Sequence, residues 1–509
     1  MNPKTIVLII LDGLGIGPDK NTNPFYVARP ENLIRLGNEY PLTSLGASGI
    51  NVGLPWGEVG NCKVGHLNLG TGKIIYQNYP LITMAIRDKS FFKNQAIKQA
   101  FEFSQKNQTS INFVGTLSDG IAEAAQDHIK ALISIAEDYN IDFKLHFFAD
   151  GKDGPPRSFL KLLNKFPKEK VATIIGRYYA LDYKNNWNLV KRAYDCLVGE
   201  ISETKNFEEF IKSFYEKDFN DDSIPPILVQ KNKSIQNNEA IIFFNFREDN
   251  IRSLVEAFIN PKFDKFQKKT LENIFIVTMT EYSEKFNVPV AFPSQRITKP
   301  LSFVLSENHK TQLKIAESTR YSLITLFFNG LNEAPYENEF RVSVPIDSSL
   351  NPINHPELIS QTITDRIIES LENQSFDFIL ANYSNLDVLA HTGNFQSCVK
   401  AIQILDNQIK KIIDVAFKNN VVVLITSDHG NIEELINSNT GEIDTENNLN
   451  PVPFYLIGKN FYGRKFPNYK NLRNETLGFL SDVAPTILDL FNIPQPKEMT
   501  GKSLLLNLF

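Results

Sequence analysis

The sequence predicts an α/β protein of two domains, one built on a parallel sheet and split in the chain by the insertion of the other. Three observations carry this. Short, wholly apolar runs near both ends of the chain each stop at acidic or imidazole residues. A stretch of helical apolar period separates two of those runs, and the middle of the chain repeats the pattern with basic punctuation.

The first run, Ile6 to Leu11, is β-branched in part and stopped by Asp12-Gly13, as suits a strand buried on both faces of a parallel sheet. The segment Gly60-Asn61-Cys62-Lys63-Val64-Gly65-His66 follows, small and polar, with little sign of helix or strand period. In the middle of the chain, helices are expected over Asp127 to Tyr139 and Asp249 to Phe258. Strands are expected at Phe143 to Phe148, Val171 to Ile175 and Ala240 to Phe244. These strands end at Asp150-Gly151-Lys152-Asp153, Gly176-Arg177 and Asn245-Phe246-Arg247. Near the far end, Phe376 to Ala381 leads towards Asn382, Asp387 and His391, and Val421 to Thr426 runs into Ser427-Asp428-His429-Gly430. Between them, Val399, Ile402, Leu405, Ile409, Ile412 and Ile413 mark one face of a helix from Ser397 to Phe417. Strand, helix and strand are therefore expected to form a βαβ unit with parallel pairing. The proline-bearing stretches Tyr76 to Pro80 and Val288 to Pro300 are candidate hinges or surface loops.

Composition narrows the class. At 509 residues the chain is too long for one ordinary core. Hydrophobic content of 42% and charged content of 22% are those of a soluble globular protein. A net charge of −5 argues against a general nucleic-acid surface, so any cationic site must be a local cluster. Cys62, Cys196 and Cys398 are too few and too far apart for a disulfide framework. No apolar run approaches the ~20 residues of a membrane span, and Ile6 to Leu11 does not read as a secretory signal. A cytoplasmic, monomeric enzyme or binding protein with no nucleic-acid or membrane partner is expected.

In open parallel sheets, ligands bind beyond the carboxyl ends of the strands. At those ends the split domain supplies Asp12, Asp387, His391, Asp428 and His429, a ligand set suited to Zn²⁺ or Mn²⁺. Five groups exceed what one tetrahedral site uses, which leaves room for two metals and hence for phosphoryl transfer. The inserted domain supplies Lys152, Arg177 and Arg247, groups that grip phosphates and carboxylates. A metal face and a cationic face suggest a small phosphorylated acid as substrate. On its own, Cys62 could be a nucleophile, a metal ligand or a small buried residue.

With these residues in hand, the chain resembles the cofactor-independent (2,3-bisphosphoglycerate-independent) phosphoglycerate mutases of the alkaline phosphatase superfamily. The likeness runs through Leu11-Asp12-Gly13, Gly65-His66-Leu67-Asn68-Leu69-Gly70, Gly176-Arg177-Tyr178-Tyr179-Ala180 and Phe244-Asn245-Phe246-Arg247. It continues through Phe327-Phe328-Asn329-Gly330, His391-Thr392-Gly393, Asp428-His429-Gly430-Asn431 and Asn450-Pro451-Val452-Pro453-Phe454. The resemblance implies an alkaline-phosphatase-like metal domain in two parts, 1–76 and 298–509, around a transferase domain, 77–297, that handles substrate. It further implies two divalent metals, Mn²⁺ first and Zn²⁺ next, and a phosphoryl group carried on the enzyme. Asp12, Asp428 and His429 match ligands of one metal, Asp387 and His391 those of the other. Asp153, Arg177 and Arg247 match substrate-handling positions.

Departures from the family pattern fall at the chemistry. The family's G-N-S-E-V-G-H reads here with Cys62 in the serine position, which makes Cys62 the expected nucleophile and a metal ligand, with Lys63 favouring its anion. Glu123 stands for the acid–base histidine, Lys152 for an arginine before Asp153, and Arg320 for a catalytic lysine. Asn447 stands for a histidine ligand of the second metal. Tyr183 and Asn250 replace two arginines. Charge-assisted hydrogen bonds contribute about 1.5–3 kcal/mol each, so losing two would weaken phosphoglycerate binding by roughly two to four powers of ten unless other groups substitute. The reaction implied is interconversion of 2- and 3-phosphoglycerate. The alternatives are a metal-dependent phosphotransferase or phosphohydrolase with a changed substrate, or a non-catalytic homologue that binds metal or ligand.

Overall fold

Contacts divide the chain into a split unit, Met1–Gln77 with Arg296–Phe509, and an inserted unit, Asn78–Gln295. The computed structural model describes residues 3–347, 349–358, 360–437 and 440–508. In chain order the split unit contributes strands β1 (Thr5–Leu11) and β2 (Leu42–Gly46). The inserted unit follows with β3 (Ile111–Leu117), β4 (Phe143–Ala149), β5 (Val171–Gly176), β6 (Ile227–Leu228), β7 (Ala240–Phe243), β8 (Phe275–Thr280) and β9 (Val290–Phe292). The split unit resumes with β10 (Gln312–Glu317), β11 (Glu339–Val344), β12 (Phe378–Tyr383), β13 (Val421–Thr426), β14 (Val452–Ile457) and β15 (Gly478–Phe479).

The sheet of the split unit has the order β11-β10-β12-β1-β13-β14-β2-β15, with every pairing parallel except the two made by β14. Every residue of β1, β12 and β13 is buried, which is why these strands read as unbroken apolar runs. One expectation changes. β12 and β13 flank the helix Phe395–Lys418 in sequence but do not pair with each other, because β1 lies between them and pairs with both. The crossover thus spans one strand and sets the ends of β12, β1 and β13 side by side.

The segment from Gly60 to His66 also differs from its reading as period-free loop. Asn61 caps a helix, Cys62–Thr71, accepting a hydrogen bond from the Val64 amide at 3.0 Å. Its glycines hide the helical signal, and each has a packing reason. A Cβ on Gly65 would sit 2.4 Å from the Asp428 carbonyl oxygen, and one on Gly70 would sit 2.0 Å from that of Phe328. The helix start is thereby pressed against the end of β13. Gly65→Ala is expected to destabilise the split unit by about 1–3 kcal/mol through forced separation of helix and strand end, measured by denaturant unfolding.

The inserted unit carries its own sheet, β6-β5-β4-β3-β7-β8-β9, parallel except at β6. Its strands β3, β4, β5 and β7 are wholly buried, with apolar clusters on both faces. Among the described residues, no helix is long and apolar enough to cross a membrane.

Candidate metal centre and anion site

In the split unit four adjacent parallel strands, β10, β12, β1 and β13, end on one edge of the sheet. Asp12 follows β1, Asp387 lies on the helix Asn385–Ala390 after β12, Asp428 and His429 follow β13, and Arg320 follows β10. The helix starting at Cys62 brings the thiol to the same edge. Cys62 Sγ lies 3.1 Å from His429 Nε2 and 3.5 Å from Asp12 Oδ1. One ligand atom from each of Asp12, Cys62, Asp387 and His429 falls within 4.8 Å of the others. That grouping draws Asp387 in with residues the family resemblance assigned to the other metal.

The hydrogen bonds around this cluster suit a cation. His429 Nδ1 faces the Gly430 carbonyl at 3.3 Å, which leaves Nε2 turned to the thiol and the carboxylates. His391 repeats the pattern, with Nδ1 on the Thr445 carbonyl at 2.7 Å and Nε2 3.2 Å from Asp387 Oδ1. Imidazoles held through Nδ1 by a carbonyl present Nε2 as a ligand. These proton placements follow from the partners. Asp428 Oδ1 accepts from the amides of Gly13 and His429. Its Oδ2 lies 3.2 Å from His66 Nδ1, whose hydrogen goes to the Cys62 carbonyl at 2.8 Å, so this buried oxygen has no hydrogen bond. An orphaned carboxylate oxygen beside three other anionic or nucleophilic groups is a place for a divalent ion.

Charge in the cluster points the same way. Burial raises the Asp12 carboxyl above its ordinary range, and Asp428 and Asp387 raise it further. Burial opposes charge on His429, yet Asp428, Asp12 and Cys62 hold its pKa well above the usual imidazole value. Burial pushes the Cys62 thiol up, and so do Asp12 and Asp428. The protein alone therefore keeps Cys62 as a thiol. Lys63 is exposed, and its ammonium lies over the Phe327 ring, 5.8 Å from the centroid. Arg320 adds a fixed cation to the cluster: it donates to Asp387 Oδ2 at 2.6 Å and lies 3.5 Å from Asp12 Oδ2.

A second grouping centres on Asn431, which the sequence reading did not single out as a site residue. Its Nδ2 donates to Asp387 Oδ1 at 3.0 Å and Asn447 Oδ1 at 3.1 Å, and lies 3.4 Å from His391 Nε2. The three groups that resemblance assigned to a second metal thus converge on one point. Asn447 also donates to the Gly60 carbonyl at 2.8 Å, tying its loop to the turn before Cys62. His66 and Asn382 were missed as well. Asn382 Nδ2 bridges His66 Nε2, at 3.0 Å, and Asp12 Oδ2, at 3.4 Å. The sequence reading had quoted His66 only within motifs and Asn382 only as a residue at the end of a buried strand, without a role for either.

The inserted unit gathers its polar groups on the corresponding edge, beyond the adjacent strands β5, β4, β3 and β7. Arg177 follows β5 and is gripped from two sides: Nη1 by Asp150 and Nη2 by Glu123 Oε1 at 2.8 Å. Asp150 also accepts from the amides of Asp153 and Gly154 and from Ser118, which fixes it as the orienting partner of Arg177. Glu123 Oε1 accepts a second hydrogen bond from Asn250 Nδ2 at 2.5 Å, and Glu123 Oε2 is buried with no partner. Burial raises the Glu123 carboxyl although Arg177 and Asn250 pull it down. Asp153 caps the turn containing Ala122, whose amide donates to it at 2.6 Å. Arg247 is held in a two-point pair by Asp249 at 2.8 and 3.1 Å, and Lys152 lies 3.6 Å from Asp222. Tyr183, in place of an arginine, is exposed.

The family model for the BPG-independent PGAM N-terminus matches residues 82–284. The 2,3-bisphosphoglycerate-independent phosphoglycerate mutase of Ectopseudomonas mendocina (strain ymp) is 37% identical over 512 residues, covering 99% of this chain and 98% of its own length. That of Clostridium botulinum (strain ATCC 19397 / Type A) is 38% identical over 519 residues, covering 99% and 100%. Among solved structures, the phosphoglycerate mutase of Leishmania mexicana, crystallised at low cobalt concentration, aligns with a TM-score of 0.53 at 22% identity. It covers 100% of this chain and 98% of that one, a likeness of fold.

Proposed function

The chain belongs to the 2,3-bisphosphoglycerate-independent phosphoglycerate mutase family, and on that premise we propose that it interconverts 2- and 3-phosphoglycerate, a step of glycolysis, through a phosphoryl group carried on Cys62. The observation that carries this reading is the convergence of Cys62 Sγ, His429 Nε2 and the carboxylates of Asp12 and Asp387 within 4.8 Å. A divalent cation held there by Asp12, Cys62, Asp428 and His429, with Asp387, His391 and Asn447 serving a second, would favour the thiolate and screen the phosphoryl oxygens. Sulfur in this set favours Zn²⁺ over Mn²⁺. Cys62→Ser is therefore expected to shift the preference towards Mn²⁺, read by competition between the two ions for the purified protein.

The chain's own groups divide the remaining work. Sγ forms a bond to phosphorus as the phosphorus–oxygen bond of the substrate breaks, and the proton that the thiol gives up is balanced by one taken by the departing oxygen. The family resemblance puts Glu123 at an acid–base position of the inserted unit, and its Oε2 has no protein partner there. The glycerate then presents its other hydroxyl, which gives up its proton as it takes the phosphoryl group back from sulfur and the thiol is restored. Arg320 lies against the metal-site carboxylates and supplies fixed positive charge beside the thiol. Arg177, Arg247 and Lys152, with Asp153 shaping the loop, are the substrate-holding groups of the inserted unit. All three cysteines are free, which supports a reducing, cytoplasmic setting.

An enolase-coupled assay with 3-phosphoglycerate tests the reading. Chelated protein should be inactive, and Zn²⁺ or Mn²⁺ should restore turnover. Metal uptake without turnover would remove it. A second reading, a phosphohydrolase with a less anionic substrate, is favoured by one observation: Lys152, Arg177 and Arg247 all have carboxylate partners within the protein. It predicts release of inorganic phosphate from phosphoesters in the same assay mixture.

A further inference from the structure

The side chain of Arg177 is only 16% exposed, and both of its terminal nitrogens are already engaged by carboxylates. The two carboxylates differ in kind. Asp150 is fixed by Ser118 and two backbone amides and orients the guanidinium. Glu123 has no such anchor: its Oε1 is held only by Arg177 and Asn250, and its Oε2, in a side chain 1% exposed, has no hydrogen bond at all. A carboxylate whose one oxygen accepts from a guanidinium and an amide, while the other stays bare, has the binding pattern of a small carboxylic acid seated in a receptor. The donors it uses are cationic and amide groups at the end of β5 and on the helix Glu248–Ile259 after β7, where a phosphorylated acid would be gripped.

We propose that Glu123 is a built-in occupant of the inserted unit's anion site, competing with the carboxylate or phosphate of the substrate for Arg177 and Asn250. This rests on the reading that Arg177 holds the substrate acid. Binding then exchanges one ion pair for another: the substrate's oxygens take the donors, and Glu123 is released with its proton-accepting oxygens free. Affinity is set low by the residue that the chemistry needs, and Glu123 becomes a specificity determinant as well as a proton carrier. A neutral side chain of the same shape would keep only an uncharged amide oxygen on these donors, a weaker competitor, while removing the proton carrier, so binding and turnover should move in opposite directions.

The test uses the full chain. In the Cys62→Ala background, which prevents turnover, calorimetric titration with 3-phosphoglycerate and separately with inorganic phosphate compares Glu123 with Glu123→Gln. The expected result is binding about tenfold tighter or more for Glu123→Gln, the scale of one charge-assisted contact regained. Adding Arg177→Met should abolish that gain. With Cys62 intact, Glu123→Gln should show a lowered KM together with a lowered kcat. Should Glu123→Gln melt early, Glu123→His supplies the same binding comparison, again without the competing carboxylate. Unchanged or weaker binding of both anions in a folded variant, or a gain that survives Arg177→Met, overturns the proposal. The underlying reading fails separately. If the unaltered protein does not isomerise 3-phosphoglycerate but phosphate binding tightens through Arg177, the internal competitor stands and the substrate assignment falls.

Discussion

Replacing Cys62 by alanine is expected to lower turnover of 3-phosphoglycerate by about 10⁴-fold or more, the scale at which removing a covalent nucleophile acts. The helix Cys62–Thr71 and its Asn61 cap do not depend on the thiol, so the fold should persist. Cys62 Sγ is the strongest nucleophile among the clustered groups. Cys62→Ser should retain measurable turnover, since oxygen is a competent nucleophile for the same transfer. A Cys62→Ala protein with undiminished activity would remove sulfur from the mechanism and shift attention to direct hydrolysis.

The second large effect concerns stability, not turnover. The inserted unit buries two histidines, His128 and His146, against apolar and hydroxyl neighbours. Burial pushes His128 down to about 4, and burial with the Lys144 charge pushes His146 down to about 3. His146 lies between Thr173 at 3.0 Å and Asn112 at 3.1 Å, and His128 meets Thr83 at 3.1 Å. Because both folded pKa values lie below the ordinary 6.5, the unfolded chain binds more protons than the folded one across the window below 6.5. Stability is therefore full above pH 6.5 and falls as pH drops, down to about 4 for His128 and about 3 for His146. At about 1.4 kcal/mol per unit the two together remove roughly 6 kcal/mol by pH 4, comparable to the whole stability of many domains. Hydrogen exchange on β3, β4 and β5 should show this unit opening between pH 5 and about 4. Substituting both histidines by glutamine should flatten that acid dependence. An unchanged acid midpoint in the double variant would show that other groups govern it.

Much of the fold was legible because its central strands are buried on both faces. Ile6 to Leu11, Phe376 to Ala381 and Val421 to Thr426 could be read as strands from their apolar character, and of the residues beyond them, Asp12, Asp387 and His429 cluster with Cys62 as groups that could hold a metal ion, with Asp428 beside them. The placement of β1 between β12 and β13 was not legible, because periodicity reports burial and not neighbour order. The helix at Cys62 was hidden for a related reason. Gly65 and Gly70 weaken the helical pattern, and what requires them is the backbone of Asp428 and Phe328, hundreds of residues away. Resemblance marked Glu123 as a departure, but not its pairing with Arg177 and Asn250, which depends on the end of β5 and the start of the helix after β7. Asn431 was likewise quoted within a motif without a role, because its three partners come from three separate segments.

The most direct test of the central claim is phosphorus NMR of the metal-loaded protein with 3-phosphoglycerate and, separately, with 2-phosphoglycerate. The account predicts that both samples reach the same mixture of the two isomers without accumulating inorganic phosphate. Persistence of each starting isomer, or conversion of either to free phosphate, would contradict it.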